Sequence, residues 1–188
     1  ARFLGDTGYF VTYKETDPLF SVDLSNPKNP KILGRLKIPG FSNYLHFYGE
    51  DRLLGIGMST DEESGVAEGV KITMFDISDR SDVKEESTLV LDDLYGSHAA
   101  YDYKSVLADP EKNVIGLSGY SQNGESYYLL TYNRTDRKFE TILQEEVNGN
   151  TSQGIRGIYI EDTLYVISGN IIEAYDMNTG VKSGDIIL

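Results

Sequence analysis

The chain has 188 residues, of which 39% are apolar and none is cysteine, and its formal net charge at pH 7 is −13. This length suffices to bury a core, whereas the lack of Cys excludes disulfides, thiolate nucleophiles and cysteine-based zinc sites. The acidic surface repels phosphate backbones and anionic lipid, so we expect neither a nucleic-acid partner nor membrane insertion. No apolar run approaches the roughly 18 residues of a membrane-spanning helix.

Short apolar runs separated by turns rich in Gly and Pro follow one another along the whole chain. Alternation of apolar and polar residues, or short runs apolar on both faces, predicts β-strands. The predicted strands are 8–14, 19–23 and 31–38 in the first segment, 44–48, 53–58, 71–77 and 84–91 in the second, and 158–160, 164–167, 171–175 and 181–187 in the last. No helix of normal length is expected, because Gly and Pro are too frequent for one.

One four-residue motif ends a strand in each of four segments. Its copies begin at Val22, Phe75, Tyr132 and Tyr175, and the second residue is Asp23, Asp76, Asn133 or Asp176. The copies recur about every 50 residues, which is close to the period of a four-stranded propeller blade. We therefore predict an all-β fold, a β-propeller segment over residues 1–188 with four four-stranded antiparallel blades at about 1–40, 41–95, 96–150 and 151–188.

The first copy of the motif carries a resemblance to known repeats. The run Val-Asp-Leu-Ser-Asn-Pro at 22–27, followed by Pro30 and Gly34, resembles the blade motif of propellers built from LVIVD-type repeats. Residues 36–46, 108–113 and 2–6 are similar to parts of prokaryotic secreted proteins with a C-terminal β-propeller domain. The resemblance implies an exported protein, extracellular or at the cell surface, and implies no activity for particular residues. The second copy, at 75–83, departs from the pattern because it lacks both prolines.

Two histidines and two arginines are the first candidates for a binding site. His46 and His98 are the only histidines, and both lie near a predicted first strand, the strand that lines the axis of a propeller. The two histidines occupy different positions within their predicted blades and should not lie at the same height along the axis. The alternative is a purely structural role. Arg2 and Arg156 precede similar first-strand sequences and could bind a carboxylate or phosphate. The alternative is that the two arginines form ion pairs with nearby Asp or Glu residues, which outnumber Lys and Arg in this chain.

A calcium site is the one metal site that the sequence suggests. Asp109, Glu111 and Asn113 place oxygen atoms at alternate positions of a turn, and Ca²⁺ prefers oxygen ligands. The turn lacks the glycine, the length and the final Glu of an EF-hand loop, so a plain hairpin turn is the alternative. The acidic loop at 61–68 is expected to be solvated, and sequons begin at Asn133 and Asn150.

Two long polar loops, 60–69 and 121–126, join second to third strands and should emerge on one side of the fold. Loops on a rigid scaffold carry specificity, and no Gly-x-Ser-x-Gly elbow or phosphate-cradling loop occurs. We therefore expect a non-catalytic extracellular or cell-surface module that binds a protein, peptide or glycan and needs no cofactor.

Two other functions stay open. One is an enzyme with a channel-mouth site that uses Arg2, His98 and Arg156 on an anionic carbohydrate or a similar substrate. The other is a calcium-dependent scaffold. Because the four repeats begin and end in the same phase, the apolar faces of the first and last blades need a cover, and we expect a homodimer or a missing half of a larger propeller. The alternative is that the four blades close on themselves into a small ring.

Overall fold

A computed structural model describes residues 1–12, 18–37, 39–61, 63–148 and 154–188. Sheet 1 comprises β1 Arg2–Leu4, β2 Thr7–Val11, β3 Pro18–Asp23 and β4 Lys31–Lys37. Sheet 2 comprises β5 Phe41–Phe47, β6 Arg52–Thr60, β7 Ala67–Asp76 and β8 Lys84–Leu91. Sheet 3 comprises β9 Gly96–Ser97, β10 Leu107–Asp109, β11 Val114–Ser121, β12 Gly124–Asn133 and β13 Lys138–Glu146. Sheet 4 comprises β14 Ile155–Ile160, β15 Thr163–Ser168, β16 Ile171–Asp176 and β17 Lys182–Ile187.

All four sheets are antiparallel meanders, so the predicted fold class is confirmed. Strands that follow one another in sequence are neighbours in each sheet, and only the short β9 leaves this order by pairing with β11. The helices among the described residues are two single 3-10 turns, His98–Ala100 and Tyr103–Ser105. The chain divides into two units, Ala1–Asp92 and Asp93–Leu188, each of which contains two sheets.

Each unit buries an apolar core between its two sheets. In the first unit, Tyr9 and Leu19 of sheet 1 pack with Leu45, Leu53 and Phe75 of sheet 2. The core of the second unit joins the two sheets in the same way, and its buried members are Val114, Tyr127, Leu129 and Leu143 of sheet 3 with Ile155, Leu164, Val166, Tyr175 and Met177 at sheet 4. Burial of these side chains is the main stabilising contribution to each sheet pair.

One of the two predicted long loops is wrong. The segment 121–126 was expected to be a loop, but β11 and β12 continue until Ser121 pairs with Gly124, which leaves a two-residue turn at Gln122 and Asn123. The loop predicted at 60–69 is shorter than expected, since β6 extends to Thr60 and β7 begins at Ala67. Parts of the predicted strands 8–14 and 31–38 and the sequon at Asn150 lie outside the described residues.

The recurring motif has the same local structure in all four sheets. The side-chain oxygen of its second residue accepts a hydrogen bond from the backbone N–H two residues later, at 2.8 Å for Asp23, 2.9 Å for Asp76, 3.0 Å for Asn133 and 2.9 Å for Asp176. Such a bond stabilises the turn that leaves the strand. In sheets 1, 2 and 4 the third residue of the motif also donates its N–H to a backbone oxygen of the preceding hairpin, that of Asp6, Asp51 or Asp162.

We predict from these turns that the folded protein loses stability in acid. Hydrogen bonds from Ser78 and Thr179 hold the pKa of Asp76 and Asp176 below the ordinary value. Because the pKa in the folded state is the lower one, the turns stabilise the fold above the unfolded-state pKa and lose this contribution as pH falls through the folded-state pKa. We expect the melting temperature to be nearly constant from about pH 7 to pH 5 and to fall below about pH 4, where Asp is protonated.

Asparagine at the same positions provides the control. Asn133 forms the turn without a charge, so the combined change Asp23→Asn, Asp76→Asn and Asp176→Asn should keep the fold and reduce the slope of melting temperature against pH below about pH 4. An unchanged slope would show that the acid sensitivity comes from other carboxylates.

Candidate functional site

Residues 95–105, at the start of sheet 3, build a site that has no counterpart in the described parts of the other sheets. Gly96 and Ser97 form the short strand β9 against β11, and the hydroxyl of Ser97 donates to the backbone oxygen of Ser118 at 2.8 Å. The same hydroxyl accepts the N–H of Ala99 and so begins the first 3-10 turn. These bonds fix the backbone that carries His98.

Four aromatic rings form a continuous row on this segment, which we call the ring ladder: Tyr95, Tyr120, His98 and Tyr101. Ring centroids lie 6.2 Å apart for Tyr95 and Tyr120, 4.5 Å for Tyr120 and His98, and 5.7 Å for His98 and Tyr101. The two outer rings are accessible, with Tyr95 66% and Tyr101 67% exposed, whereas His98 is buried. The ladder therefore presents two exposed rings on a fixed base.

Polar contacts hold the imidazole of His98 from both sides. Its Nε2 lies 3.3 Å from Oε2 of Glu125, and its Nδ1 lies 3.0 Å from the hydroxyl of Ser118. Oε2 of Glu125 is buried and forms no hydrogen bond. Burial raises the pKa of Tyr101, and the negative charges of Glu125 and then Asp102 raise it further. The ladder thus lies in a negative local field.

A serine, a histidine and a glutamate in contact are the residue types of a hydrolytic triad, and here they are Ser118, His98 and Glu125. The sequence did not suggest this arrangement. Ser118 is wholly buried in the middle of β11, and a nucleophile has to reach the substrate carbon. In this arrangement Ser118 and Glu125 orient the ring of His98, and no attacking hydroxyl is exposed.

Arg2 and His46 come together in the first unit. The guanidinium of Arg2 lies 5.1 Å from the ring centre of Tyr44, and the hydroxyl of Tyr44 lies 2.9 Å from Nδ1 of His46. Burial lowers the pKa of His46, and the charge of Arg2 lowers it further. The lowered pKa favours the neutral form of His46. These contacts fit a structural role for the residue in packing.

The expected equivalence of Arg2 and Arg156 is wrong. In sheet 1, Leu4 pairs with Thr7 across the first hairpin, and in sheet 4 Ile160 pairs with Thr163. This register aligns Arg2 with Ile158, two residues beyond Arg156. Arg2 belongs to the first unit, whereas His98 and Arg156 belong to the second.

The turn proposed as a calcium site uses its polar atoms for its own structure. Oδ1 of Asp109 accepts the N–H groups of Glu111 at 2.8 Å and Lys112 at 3.0 Å, and Oδ2 accepts the hydroxyl of Tyr159 at 2.5 Å. The amide nitrogen of Asn113 donates to Thr131 at 2.7 Å. These hydrogen bonds are those of a plain hairpin turn, the alternative to a calcium site. Among the described residues, no three His, Asp or Glu side chains are grouped as metal ligands.

Comparison with known proteins identifies the family. A model of the β-propeller domain family matches residues 1–180. The chain belongs to this family. An uncharacterized protein of Archaeoglobus fulgidus is 41% identical over 187 residues, which are 100% of this chain and 27% of the relative. An uncharacterized protein of Methanocaldococcus jannaschii is 38% identical over 177 residues, 94% of this chain and 26% of the relative. The chain thus spans about a quarter of these relatives.

Solved structures support the propeller fold. The chain superposes with a TM-score of 0.59 on Sqt1 of Saccharomyces cerevisiae, at 15% identity, over 92% of this chain and 44% of Sqt1. A protein of Lactobacillus plantarum also gives 0.59, at 14% identity, over 97% of this chain and 54% of that protein. Identities this low show the fold alone. No helix in the described parts of the chain is long and apolar enough to cross a membrane.

Proposed function

We propose that this propeller domain is a non-catalytic binding module that holds a basic peptide segment of a partner protein on the ring ladder. The observation that carries the proposal is the contrast in exposure along the ladder, with two accessible tyrosines at its ends and a buried, hydrogen-bonded His98 at its centre. The sequence resemblance to exported propellers supports a location outside the cell or at its surface.

Exposed tyrosines on a rigid base suit protein recognition. Each ring offers a large contact area and loses little side-chain entropy on binding, since a tyrosine has two side-chain torsions. Tyrosine is also among the residues that most often dominate the free energy of protein association. Tyr95 stacks on Tyr120 of β11, and Tyr101 contacts His98 of the first 3-10 turn, so another ring supports each of them.

The charge of the site favours a basic segment over a neutral or acidic one. Glu125 and Asp102 act on Tyr101, and the whole chain carries a net charge of −13. A Lys or Arg side chain over a tyrosine face gains a cation–π interaction of roughly 0.5–1 kcal/mol at exposed sites. The negative potential also accelerates encounter with a basic partner and rejects acidic ones.

Selection from a peptide library tests the proposal. We expect peptides selected on the purified protein to be enriched in Lys and Arg, and the dissociation constant of a synthetic selected peptide to rise about tenfold or more in Tyr101→Ala and in Tyr95→Ala. Calorimetry measures this change. Binding should also weaken with added salt, because opposite charges contribute to it.

Val181→Ala is the matched control, because Val181 is similarly exposed in the same unit but lies in the turn before β17. This change should leave the affinity unaltered. Selected peptides without basic residues, or equal affinities for the wild type and both tyrosine variants, would contradict the proposal.

A further inference from the structure

The ring ladder contains a side chain that can change its charge near neutral pH. Histidine ordinarily gains its proton between about pH 8 and pH 5, and His98 lies inside the ladder, with its ring centre 4.5 Å from that of Tyr120 and 5.7 Å from that of Tyr101. His98 is buried, whereas Tyr101 is exposed. A proton on His98 therefore places a positive charge next to an exposed ring of the ladder.

The contact between His98 and Ser118 accommodates the neutral and the charged imidazole. When the neutral ring carries its proton on Nε2, Nδ1 can accept the hydroxyl proton of Ser118, and in the charged ring Nδ1 donates to the same hydroxyl oxygen, which lies 3.0 Å away. A serine hydroxyl can act as donor or acceptor. A rotation of this hydroxyl is therefore enough to keep the contact when His98 gains a proton.

Glu125 favours the charged form of His98. Its Oε2 lies 3.3 Å from Nε2 of His98, and this buried oxygen has no hydrogen-bond partner among the described residues. A buried acceptor without a donor is costly, and a negative charge at this distance stabilises an imidazolium. Proton uptake by His98 thus improves the surroundings of Glu125.

The other charged residues near His98 are Asp102 and Lys104. The backbone N–H of Asp102 donates to the carbonyl oxygen of His98 at 2.9 Å, and its carboxylate begins the second 3-10 turn. Lys104 is exposed on that turn, with its Nζ 5.9 Å from the ring centre of Tyr103, where salt screens its charge. The strands β9 and β11, which also adjoin His98, carry no Asp, Glu, Lys or Arg.

We propose that His98 regulates the ring ladder, and that its protonation below about pH 6 weakens the binding of a basic segment. This regulation rests on the proposed function, because it concerns the same ligand on the same rings. It adds a condition for release: a basic partner held at neutral pH is held less tightly in mild acid.

Protonation of His98 changes the electrostatics of the ladder in two ways. The new charge compensates that of Glu125, which otherwise attracts a cation to this surface. The imidazolium also interacts with the negative faces of the neighbouring rings, Tyr120 and Tyr101, so a Lys or Arg side chain on Tyr101 meets a like charge close to the ring. Both changes oppose a basic ligand and leave the contact area of the tyrosines unaltered.

NMR of the histidine ring protons tests the switch on the protein alone. The chain has two histidines, so His46→Gln leaves a single Hε1 signal, that of His98. We expect this signal to shift with pH between about pH 8 and pH 5, and the midpoint to move to lower pH in Glu125→Gln, which removes the neighbouring charge. A signal that does not titrate above about pH 5, or an unchanged midpoint in Glu125→Gln, would overturn the proposal.

Calorimetry with a tetra-arginine amide at constant salt tests the effect on binding. We expect the dissociation constant to rise about three- to tenfold from about pH 7.5 to pH 5.5, the effect of one unit charge roughly 10 Å away in surroundings between protein and water. In His98→Gln this rise should be largely lost, whereas His46→Gln is the matched control and should behave as the wild type. Thermal melting at both pH values establishes that each chain is folded.

The same measurements contain a reciprocal check. If a proton on His98 weakens the binding of the peptide, bound peptide must weaken the binding of the proton by the same factor. The midpoint of the His98 signal in the wild type, identified by its loss in His98→Gln, should therefore move to lower pH when tetra-arginine amide is added.

The outcomes separate this proposal from the proposed function. Equal affinity at both pH values, or a pH dependence that persists in His98→Gln, would overturn the regulation and leave the proposed function standing. If the peptide binds at neither pH while His98 titrates as expected, the proposed function fails, and the regulation of binding fails with it.

Discussion

Replacing Gly157 by alanine is expected to lower the free energy of unfolding by about 1–3 kcal/mol, the usual effect of overpacking a core. A Cβ atom at Gly157 of sheet 4 would overlap the hydroxyl oxygen of Tyr127 of sheet 3, and one at Gly116 would overlap the same atom. The ring of Tyr127 is wholly buried in the core of the second unit. The two glycines therefore form the space that admits this hydroxyl.

Removing the hydroxyl should relieve part of the effect, since the added Cβ atom would still overlap the ring carbon Cζ of Tyr127. The hydroxyl of Tyr127 is buried without a hydrogen-bond partner, and burial raises its pKa. Tyr127→Phe is therefore expected to be neutral or stabilising, because an unsatisfied buried polar group is removed. The double variant should lose less stability than Gly157→Ala alone, with a coupling of about 0.5–3 kcal/mol.

Urea titration of the four chains measures this cycle. Gly184→Ala is the control, since a Cβ atom at Gly184 of β17 meets no atom within 4 Å. Equal losses in Gly157→Ala and Gly184→Ala would show that the packing around Tyr127 relaxes without cost.

The fold was predictable because the repeated motif has a local physical cause. Asp23, Asp76, Asn133 and Asp176 each accept a hydrogen bond from the backbone two residues later, so the motif marks the end of the last strand but one in every sheet. Residues 121–126 were wrongly predicted to form a long loop because most of them are polar. Asn123 and Gly124 form an Asn-Gly pair, which is a hairpin signal, and the chain turns at Gln122 and Asn123 between two long strands.

The site was only partly predictable. His98 was a candidate because histidine is rare in this chain, but its partners Ser118 and Glu125 lie on later strands that reach it only through sheet pairing. The 3-10 segment that carries His98 has no counterpart in the parts of the other repeats that the structure describes, so the repeat pattern could not predict it. The crowding of Tyr95, Tyr101 and Tyr103 in one short segment was a signal in the sequence.

Tyr9 and Tyr165 should differ sharply in their effect on stability, although they occupy equivalent positions. Thr163 pairs with Asp176 as Thr7 pairs with Asp23, which aligns Tyr165 with Tyr9. Tyr9→Ala is expected to cost about 3–5 kcal/mol of the free energy of unfolding, as aromatic truncations in cores do, because Tyr9 is wholly buried between sheets 1 and 2. Tyr165→Ala is expected to cost less than about 1 kcal/mol, because Tyr165 is only partly covered. Urea titration measures both.

Each of these variants is the control for the other, because both replace a tyrosine by alanine in the second strand of a sheet. If Tyr165→Ala costs as much free energy of unfolding as Tyr9→Ala, then burial of the tyrosine ring does not decide its contribution to stability at this position.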